Sequence, residues 1–240
     1  MARITTIATL CALSMLCAAQ TADELIARNL AARGGAAKLH AIQSMRMTGT
    51  ISFGDSSSPI TVRVKRPTEI REDFKVREVG IVRAFDGAAG WQSQKGDEAP
   101  KAEELKGGDL DNIREEAENA IEGPLLDYAN KGSKVDFVGK DNLEGKPVYK
   151  LKITTHLGTT ITEFLDATTY LEIHEEIERA TNGKVITIVE DVGDYRDVGG
   201  VKFPHLFVSG PKDNPTASRL QIEKTELNVP IAADEFAMPK

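Results

Sequence analysis

Apolar and polar residues alternate along most of the chain with a period of two, which is typical of half-buried β-strands. In one such run, Ile60, Val62 and Val64 alternate with polar residues. The pattern predicts strands at about 45–53, 59–66, 69–77, 79–86, 89–94, 133–140, 147–154, 159–166, 170–179, 184–196, 200–209 and 217–227. Asp86-Gly87 suits a tight turn between two of them, so we expect antiparallel hairpins.

The start of the chain has a helical period instead. Thr21 and Glu24 have the spacing of a capping box, and Gly34-Gly35 is a typical end for the helix that follows. A second short helix is predicted at 36–42. The chain therefore opens with a helical segment before the first strand.

The segment 101–131 interrupts the strands with an amphipathic helical pattern. Its apolar side carries Leu110, Ile113, Ala117 and Ile121. Its polar side carries Arg114, Glu115, Glu116 and Glu118. Gly123-Pro124 ends the helix. The pattern predicts a helical insertion between two groups of strands, and its apolar side needs an apolar surface to cover.

About eleven strands in one antiparallel sheet curl rather than stay flat. A curled sheet with an amphipathic helix over its open face is a half-barrel with a lid. The predicted fold is therefore mainly β with helices (α+β), a curled antiparallel half-barrel of about eleven strands with an α-helical lid. We find no repeat and no long linker, so 20–240 is predicted to form a single domain.

The first residues have the organisation of a secretory signal peptide. Arg3 precedes an apolar run at 4–16 that is too short for a transmembrane helix, and Cys17-Ala18-Ala19 resembles a cleavage site. We expect 1–19 to be removed near Ala19, with Ala22 as an alternative site, and a periplasmic destination. A buried N-terminal helix is the competing interpretation.

Cys17 raises the alternative of a lipid-anchored product, because lipoproteins are acylated on a cysteine at the cleavage site. The residue before that cysteine should be small, but Leu16 precedes Cys17 and Leu10 precedes Cys11. The sequence therefore favours a soluble secreted protein over an anchored one. Both cysteines of the chain would leave with the signal, so disulfides and thiol chemistry are not expected.

Charge excludes some partners. The formal net charge of the 240-residue chain is −7, and acidic and basic residues are mostly interspersed. No Lys/Arg cluster indicates nucleic acid or an anionic membrane surface. The length and apolar content suit one β-rich domain with a sizeable core.

The residues that could carry catalysis are dispersed. The histidines, His40, His156, His174 and His205, lack zinc-protease spacing, and neither a nucleophile elbow nor a phosphate-binding glycine loop occurs. His174 and Glu176 share a strand face, where a solvated pair is favoured over a weak metal site. The acidic pairs Glu115/Glu116, Glu175/Glu176 and Glu190/Asp191 could serve a glycosidase, but wet helix and strand faces are favoured. The sequence therefore predicts no enzyme, no metal and no cofactor.

Several short motifs resemble those of one family. They are Val64-Lys65-Arg66-Pro67, Phe85-Asp86-Gly87 followed by Trp91, the string from Asp194 to Pro204, and Phe236-Ala237-Met238-Pro239. Together they make the chain similar to the periplasmic carriers of the outer-membrane lipoprotein-sorting (LolA/LolB-like) superfamily. The length of the chain and its opening helices place it in a divergent branch.

The resemblance implies specific site residues. It implies that Arg66 locks the lid, whereas the residues alone favour an exposed charge at the rim of the sheet. It implies a hydrophobic cavity lined by Val62, Val64, Ile70, Phe74, Phe85 and Trp91. It implies that Leu110, Ile113, Ala117 and Ile121 cover this cavity. Without the resemblance, we expect Trp91 to lie in the protein core rather than to stack on a sugar.

The resemblance also implies a function. We expect a monomeric carrier for an acylated lipoprotein or another lipid-like ligand, with an inner-membrane transporter and an outer-membrane acceptor as partners and no nucleic acid. The alternative is a periplasmic sensor of envelope state, or a scaffold, that binds a partner protein with the same half-barrel. An unrecognised hydrolase is the third interpretation.

Overall fold

The computed structural model describes residues 20–95, 101–181 and 184–239, so the predicted signal peptide lies outside the described residues. The helices are α1 (Ala22–Arg33), α2 (Ala36–His40) and α3 (Gly108–Asn119), with a 3₁₀ turn at Ala233–Glu235. The strands are β1 (Ser44–Phe53), β2 (Ser56–Lys65), β3 (Glu69–Val76), β4 (Val79–Asp86), β5 (Gly90–Lys95), β6 (Lys101–Glu104), β7 (Lys134–Leu143), β8 (Lys146–Thr154), β9 (Thr160–Asp166), β10 (Glu172–Thr181), β11 (Lys184–Gly193), β12 (Arg196–Val198), β13 (Val201–Phe203), β14 (Leu206–Pro211) and β15 (Ser218–Leu227). In this part of the chain, no helix has the length and apolar character that a membrane crossing requires.

Thirteen of these strands form one sheet, in the order β6-β5-β4-β3-β2-β1-β15-β14-β11-β10-β9-β8-β7. The first six strands run from β1 at the centre of the sheet to β6 at one edge. After α3 the chain continues with β7 at the opposite edge and ends with β15, which pairs with β1. Every pair is antiparallel, and the sheet is not closed into a barrel. The predicted fold, a curled antiparallel half-barrel with helices, is confirmed, while β12 and β13 form a separate hairpin.

Two parts of the strand prediction were wrong. The strand β6 lies where a helical period was predicted, and it pairs with β5 at the sheet edge. Both faces of β6 carry charged residues, as is common for an edge strand. The sequence therefore shows no alternation of apolar and polar residues that would predict a strand there. The predicted strands 184–196 and 200–209 are each divided, because the backbone turns at Asp194, which has a φ of 51°, and at the Pro204 break before β14.

The helix α1 is capped at both ends as the sequence predicted. The Glu24 amide donates to Thr21 Oγ1 at 3.2 Å, and the Thr21 amide donates back to Glu24 Oε2 at 3.4 Å. At the other end Gly34 has a φ of 118°, and a Cβ there would lie 2.2 Å from the Gly200 carbonyl oxygen. Glycine is therefore required both by the left-handed backbone and by the close approach of the β12–β13 hairpin.

The helices divide the covered face of the sheet into two cores. The helix α1 packs Leu25 and Ile26 against the sheet at β7–β9, in a cluster with Leu151. The helix α3 packs Ile113 over the opposite half, in a cluster with Phe85. We call the face that carries both helices the inner face. Between the two clusters, the inner face of the central strands is not covered by either helix, and a cavity lies there.

Candidate functional site

The cavity has a volume of about 540 Å³, which is within the range typical of small-molecule sites. Its floor is the inner face of the central strands, and its walls include residues of α1 and α3. The part of the floor formed by β1, β2, β3 and β15 is mostly apolar, although Glu72 and Ser218 also line it. It is lined by Met45, Met47, Ile51, Val62, Ile70, Leu220 and Ile222. This surface offers an alkyl chain a place to be removed from water.

The sequence-predicted cavity residues fall into three groups. Val62 and Ile70 line the cavity. Val64 and Phe85 share its face of the sheet but are buried beneath the helices, in the core cluster around α3. Phe74 is partly buried at the margin of that cluster, with its ring centroid 6.1 Å from that of Phe53. The structure therefore brings two of the six into the cavity wall and keeps three in or beside the neighbouring core.

Trp91 is the sixth, and its placement corrects the expectation. Directly opposed residues on neighbouring strands share a face of a sheet. Ile70 is opposite Phe85, whereas Trp91 is opposite Ala84, which is in turn opposite Arg71. Trp91 is therefore on the outer face, where its indole Nε1 donates to the Phe236 carbonyl at 2.8 Å. The C-terminal segment buries it there, and it makes no part of the cavity.

The helix α3 presents its apolar side to the sheet. Ile113, Ala117 and Ile121 are buried in the core cluster, and Leu110 is packed against it. A Cβ added at Gly90 would lie 3.0 Å from both Ile113 and Leu110 side chains, so the helix sits close to the sheet. The residues of α3 and its C-terminal end that reach the cavity are Glu115, Glu116, Asn119 and Ala120. The predicted lid face therefore packs on core residues, and largely polar side chains border the cavity.

Arg66 has several partners in the structure. Its Nε donates to the Ile42 carbonyl at 2.8 Å, and its Nη2 donates to the Leu39 carbonyl at 3.3 Å, at the end of α2. The same Nη2 lies 2.5 Å from Glu122 Oε2, and Lys131 Nζ lies 2.7 Å from Glu122 Oε1. Glu122 follows α3 and is buried. One guanidinium thus joins the end of β2 to α2 and to the C-terminal end of α3, which is a contact set that lysine cannot reproduce.

A second clamp acts on the same segment. Arg33, the last residue of α1, donates to the carbonyls of Glu122 and Ile121. Lys131 donates to the Gly123 carbonyl at 3.0 Å. The segment after α3 is therefore held by three cationic side chains, namely Arg33 of α1, Arg66 just after β2, and Lys131 in the loop before β7. Cations bonded to carbonyls at a helix C-terminus are also favourably placed in the helix dipole.

The other half of the cavity floor is acidic. Glu163, Glu175 and Glu190 are directly opposed on the adjacent strands β9, β10 and β11, and all three line the cavity. A bulge in β10 places Glu172 beside them. Oxygen atoms of Glu163, Glu172 and Glu175 lie within 4.8 Å of one another. Like charges directly opposed on a sheet are destabilising, so this row is costly to the fold when it is ionised.

Burial raises the pKa of every one of these carboxyl groups. Burial and then the neighbouring Glu175 raise the pKa of Glu163 to about 8, although Arg33 acts in the opposite direction. Burial raises the pKa of Glu190 to about 7. The pKa values of Glu172 and Glu175 are also well above the ordinary range, first because of burial and then because of their acidic neighbours. At neutral pH the empty site therefore retains protons that exposed glutamates would have lost.

A separate ion-pair network lines the wall near α3. Arg83 Nη1 lies 3.1 Å from Glu72 Oε2, and its Nη2 lies 3.3 Å from Glu116 Oε2. Burial and the nearby Glu116 raise the pKa of Glu72 to about 7, while Arg83 opposes the shift. These groups join α3 to β3 and β4. Glu72 and Glu116 line the cavity, so carboxyl groups are present on this wall as well as on the acidic floor.

The sequence analysis missed the acidic floor. It interpreted Glu115/Glu116, Glu175/Glu176 and Glu190/Asp191 as wet faces, but the structure places Glu115, Glu175 and Glu190 along the cavity. Adjacent residues on a strand point to opposite faces, so one member of each strand pair had to point inward. That parity was the available signal. Glu163 and Glu172 were not considered.

Comparison with known proteins adds to this geometry. No protein-family model matches the sequence. No curated protein matches it either. Among solved structures, a putative outer membrane lipoprotein-sorting protein domain from Vibrio parahaemolyticus is similar, with 9% identity, 89% of this chain and 94% of that chain covered, and a TM-score of 0.57. A LolA superfamily protein from Nitrosomonas europaea has 11% identity, 92% and 99% coverage, and a TM-score of 0.57.

The chain has the LolA-like fold. A DUF1329 family protein from Desulfovibrio piger is similar over the same extent, with 9% identity, 88% and 95% coverage, and a TM-score of 0.58. The resemblance read from the short motifs is thus confirmed for the fold. At these identities the likeness concerns the LolA-like fold alone.

Proposed function

We propose that this protein is a soluble periplasmic carrier that binds an acyl chain of a lipoprotein, or another hydrophobic amphiphile, for transfer toward the outer membrane. The observation that carries the proposal is the cavity of about 540 Å³ between the two helix-covered cores, with an apolar floor on β1, β2, β3 and β15. Its LolA-like fold and the expected signal peptide support it. The carrier acts by binding and release, without catalysis or a cofactor.

The energetics favour a reversible carrier. Each CH₂ group moved from water to the apolar floor gains about 0.8 kcal/mol before costs. Ordering the ligand and separating polar contacts of the closed protein offset part of this gain. Arg66 is proposed to act as a latch in this balance, because it bonds directly to Glu122 and to the backbone after α2. Such bonds favour the empty closed state and so assist release to an acceptor.

Ligand binding can be tested with a pair of variants on one strand. Leu220 lines the cavity, whereas its neighbour Arg219 is exposed. Leu220→Trp should fill the cavity and weaken binding of a fluorescent fatty-acyl probe at least tenfold, and Arg219→Trp should leave it unchanged. Delipidated protein is titrated with the probe, and native mass spectrometry of freshly purified protein detects lipid that co-purifies. Equal binding by both variants would show that the probe lies elsewhere, and failure of the wild type to bind would refute the carrier function.

A further inference from the structure

The acidic floor of the cavity is unusual for a site that takes an uncharged alkyl group. Glu163 is 2% exposed, and its Oε2 has no hydrogen-bond partner among the described residues. On the opposite wall, Glu115 of α3 is 6% exposed and lines the same cavity, and its Oε1 also has no partner there. A buried carboxylate without a partner costs the fold its full desolvation penalty. Two such groups on different walls of one cavity point to a ligand that donates hydrogen bonds.

The spacing of the carboxylates matches one kind of donor. Oxygen atoms of Glu163, Glu172 and Glu175 lie within 4.8 Å of one another. One point can therefore lie no more than about 2.8 Å from all three oxygens, which is the length of a charge-assisted N–H···O bond. A primary ammonium has three N–H donors, one for each carboxylate.

The charges around the triad favour a cationic ligand. Arg33 and Arg179 line the same cavity, and each opposes the raised pKa of a carboxyl group in the triad. Glu190 is directly opposed to Glu175, so the floor has four carboxyl groups against two guanidinium groups. When these carboxyl groups are ionised the floor is net negative, and a bound cation offsets part of that charge.

The surroundings also favour a charged group that continues into an alkyl chain. The next inner-face row along the same strands is apolar, with Ile161, Ile177 and Ile188 directly opposed. These residues line the cavity, and on the other side of the acidic row the directly opposed Val192, Phe207 and Leu220 lead to the apolar floor. A free metal ion would leave that surface exposed. We propose that the cavity selects an amphiphile with a primary ammonium head group, which Glu163, Glu172 and Glu175 bind while the alkyl chain occupies the apolar floor.

This inference rests on the proposed carrier function and adds the chemistry of the head group. The probes are dodecylamine, dodecyltrimethylammonium, dodecanol and laurate, each titrated at pH 7.5 below its micelle concentration by calorimetry. We expect dodecylamine to bind at least tenfold more tightly than dodecanol. Dodecyltrimethylammonium should bind more weakly than the amine because it has no N–H donor. Binding of the amine should also release protons, because the cation displaces them from the carboxyl groups.

Variants separate the triad from the rest of the cavity. Glu175→Gln and Glu163→Gln should each lower the affinity for dodecylamine at least tenfold and leave the affinity for dodecanol unchanged. Glu178→Gln is the matched control, because Glu178 is on the same strand and exposed to solvent. It should bind every probe as the wild type does. A thermal melt of each variant checks that it is folded under the conditions of the titration.

The outcomes distinguish the two proposals. Equal affinity for amine and alcohol, with both bound, would overturn the head-group inference and leave the carrier function intact. Tightest binding of laurate would overturn it in the same way. Binding of calcium chloride alone that depends on Glu175, without a preference for the amine, would assign the triad to a metal ion instead. Binding of none of the alkyl probes would refute the carrier function and the inference that rests on it.

Discussion

Arg66 Nη2 lies 2.5 Å from Glu122 Oε2, and this ion pair joins the end of β2 to the segment that follows the lid helix. Glu122 is buried and has one other cationic partner, Lys131. Because a buried charge that loses a partner is costly, the pair is sensitive to single substitutions. This ion pair is one of the contacts on which the proposed latch role of Arg66 rests.

We expect Arg66→Leu to leave a protein that still takes up ligand, with the transfer equilibrium moved toward retention roughly tenfold to a hundredfold. The empty closed state loses charge-assisted bonds worth about 2–3 kcal/mol, whereas the liganded state loses less, and each 1.4 kcal/mol is about one decade. Arg66→Lys should resemble the leucine variant, because lysine lacks the forked donors. The measurement is transfer of a fluorescent acyl ligand to acceptor vesicles.

Two further variants control this experiment. Arg219→Leu removes an exposed arginine and should transfer ligand at the wild-type rate. In the double variant Arg66→Leu/Glu122→Gln, part of the stability lost in Arg66→Leu should return, because the buried charge is gone. Unchanged transfer in Arg66→Leu and Arg66→Lys would make Arg66 a structural rim residue.

The helix α3 contributes to the core, and Ile113→Ala should show this. Ile113 is fully buried between the helix and the sheet. Its truncation should lower the free energy of unfolding by about 2–5 kcal/mol, as is usual for large-to-small changes in a core. Leu110→Ala, at a partly buried position on the same face, should cost less. Urea denaturation measures both, and a loss below about 1 kcal/mol for Ile113→Ala would indicate a helix that is loosely attached.

Much of the fold could be predicted from the sequence because the patterns that specify its helices and strands are local. The alternation of Val62 and Val64 with charged residues, the capping pair Thr21 and Glu24, and the glycine end of α1 each depend on a few neighbouring residues. The curled sheet followed from the number of strands. The LolA-like fold was therefore predictable from patterns of this kind, together with a few short motifs.

The site was less predictable, because it depends on which face each strand presents. The turn after β4 places Gly90 opposite Phe85 on the inner face, beneath α3. The next residue, Trp91, therefore points to the outer face. Similarly, Glu175 and Glu190 point inward although apolar residues are expected there. Parity shows that one member of each acidic pair points inward, but which member does so is set by register and packing across the sheet.

The single tryptophan provides a prediction about binding experiments. Trp91 is on the outer face, 2% exposed, and bonded to Phe236. Its fluorescence should therefore change little when an alkyl ligand fills the cavity. Trp91→Phe should weaken attachment of the C-terminal segment, at a cost of about 1 kcal/mol for the lost hydrogen bond, and should leave ligand affinity unchanged. A large spectral shift on ligand binding, or a loss of affinity in the variant, would contradict this placement.

The acidic floor makes stability depend on pH in an unusual direction. The pKa of Glu163 is raised from 4.5 to about 8 by burial and by Glu175, so the folded state binds more protons than the unfolded state between these values. Stability therefore falls as pH rises through this window, contrary to the usual behaviour of a salt-bridged carboxylate. Glu172 and Glu190 face the same floor with raised pKa values, and Arg33 opposes the shift of Glu163.

We expect Glu163→Gln to remove part of this dependence, because glutamine has no charge to gain. Between pH 5 and pH 8 the melting temperature of the wild type should fall more than that of the variant. The difference should be roughly 2–4 °C for each kcal/mol of ionisation free energy removed. Glu178→Gln, which changes an exposed glutamate of β10, should keep the wild-type slope. Groups away from the acidic floor titrate equally in all three proteins, so the comparison isolates Glu163 together with its effect on the pKa of Glu172. Parallel melting curves for wild type and Glu163→Gln would mean that Glu163 is ionised at little cost, and that the floor is better solvated than its burial indicates.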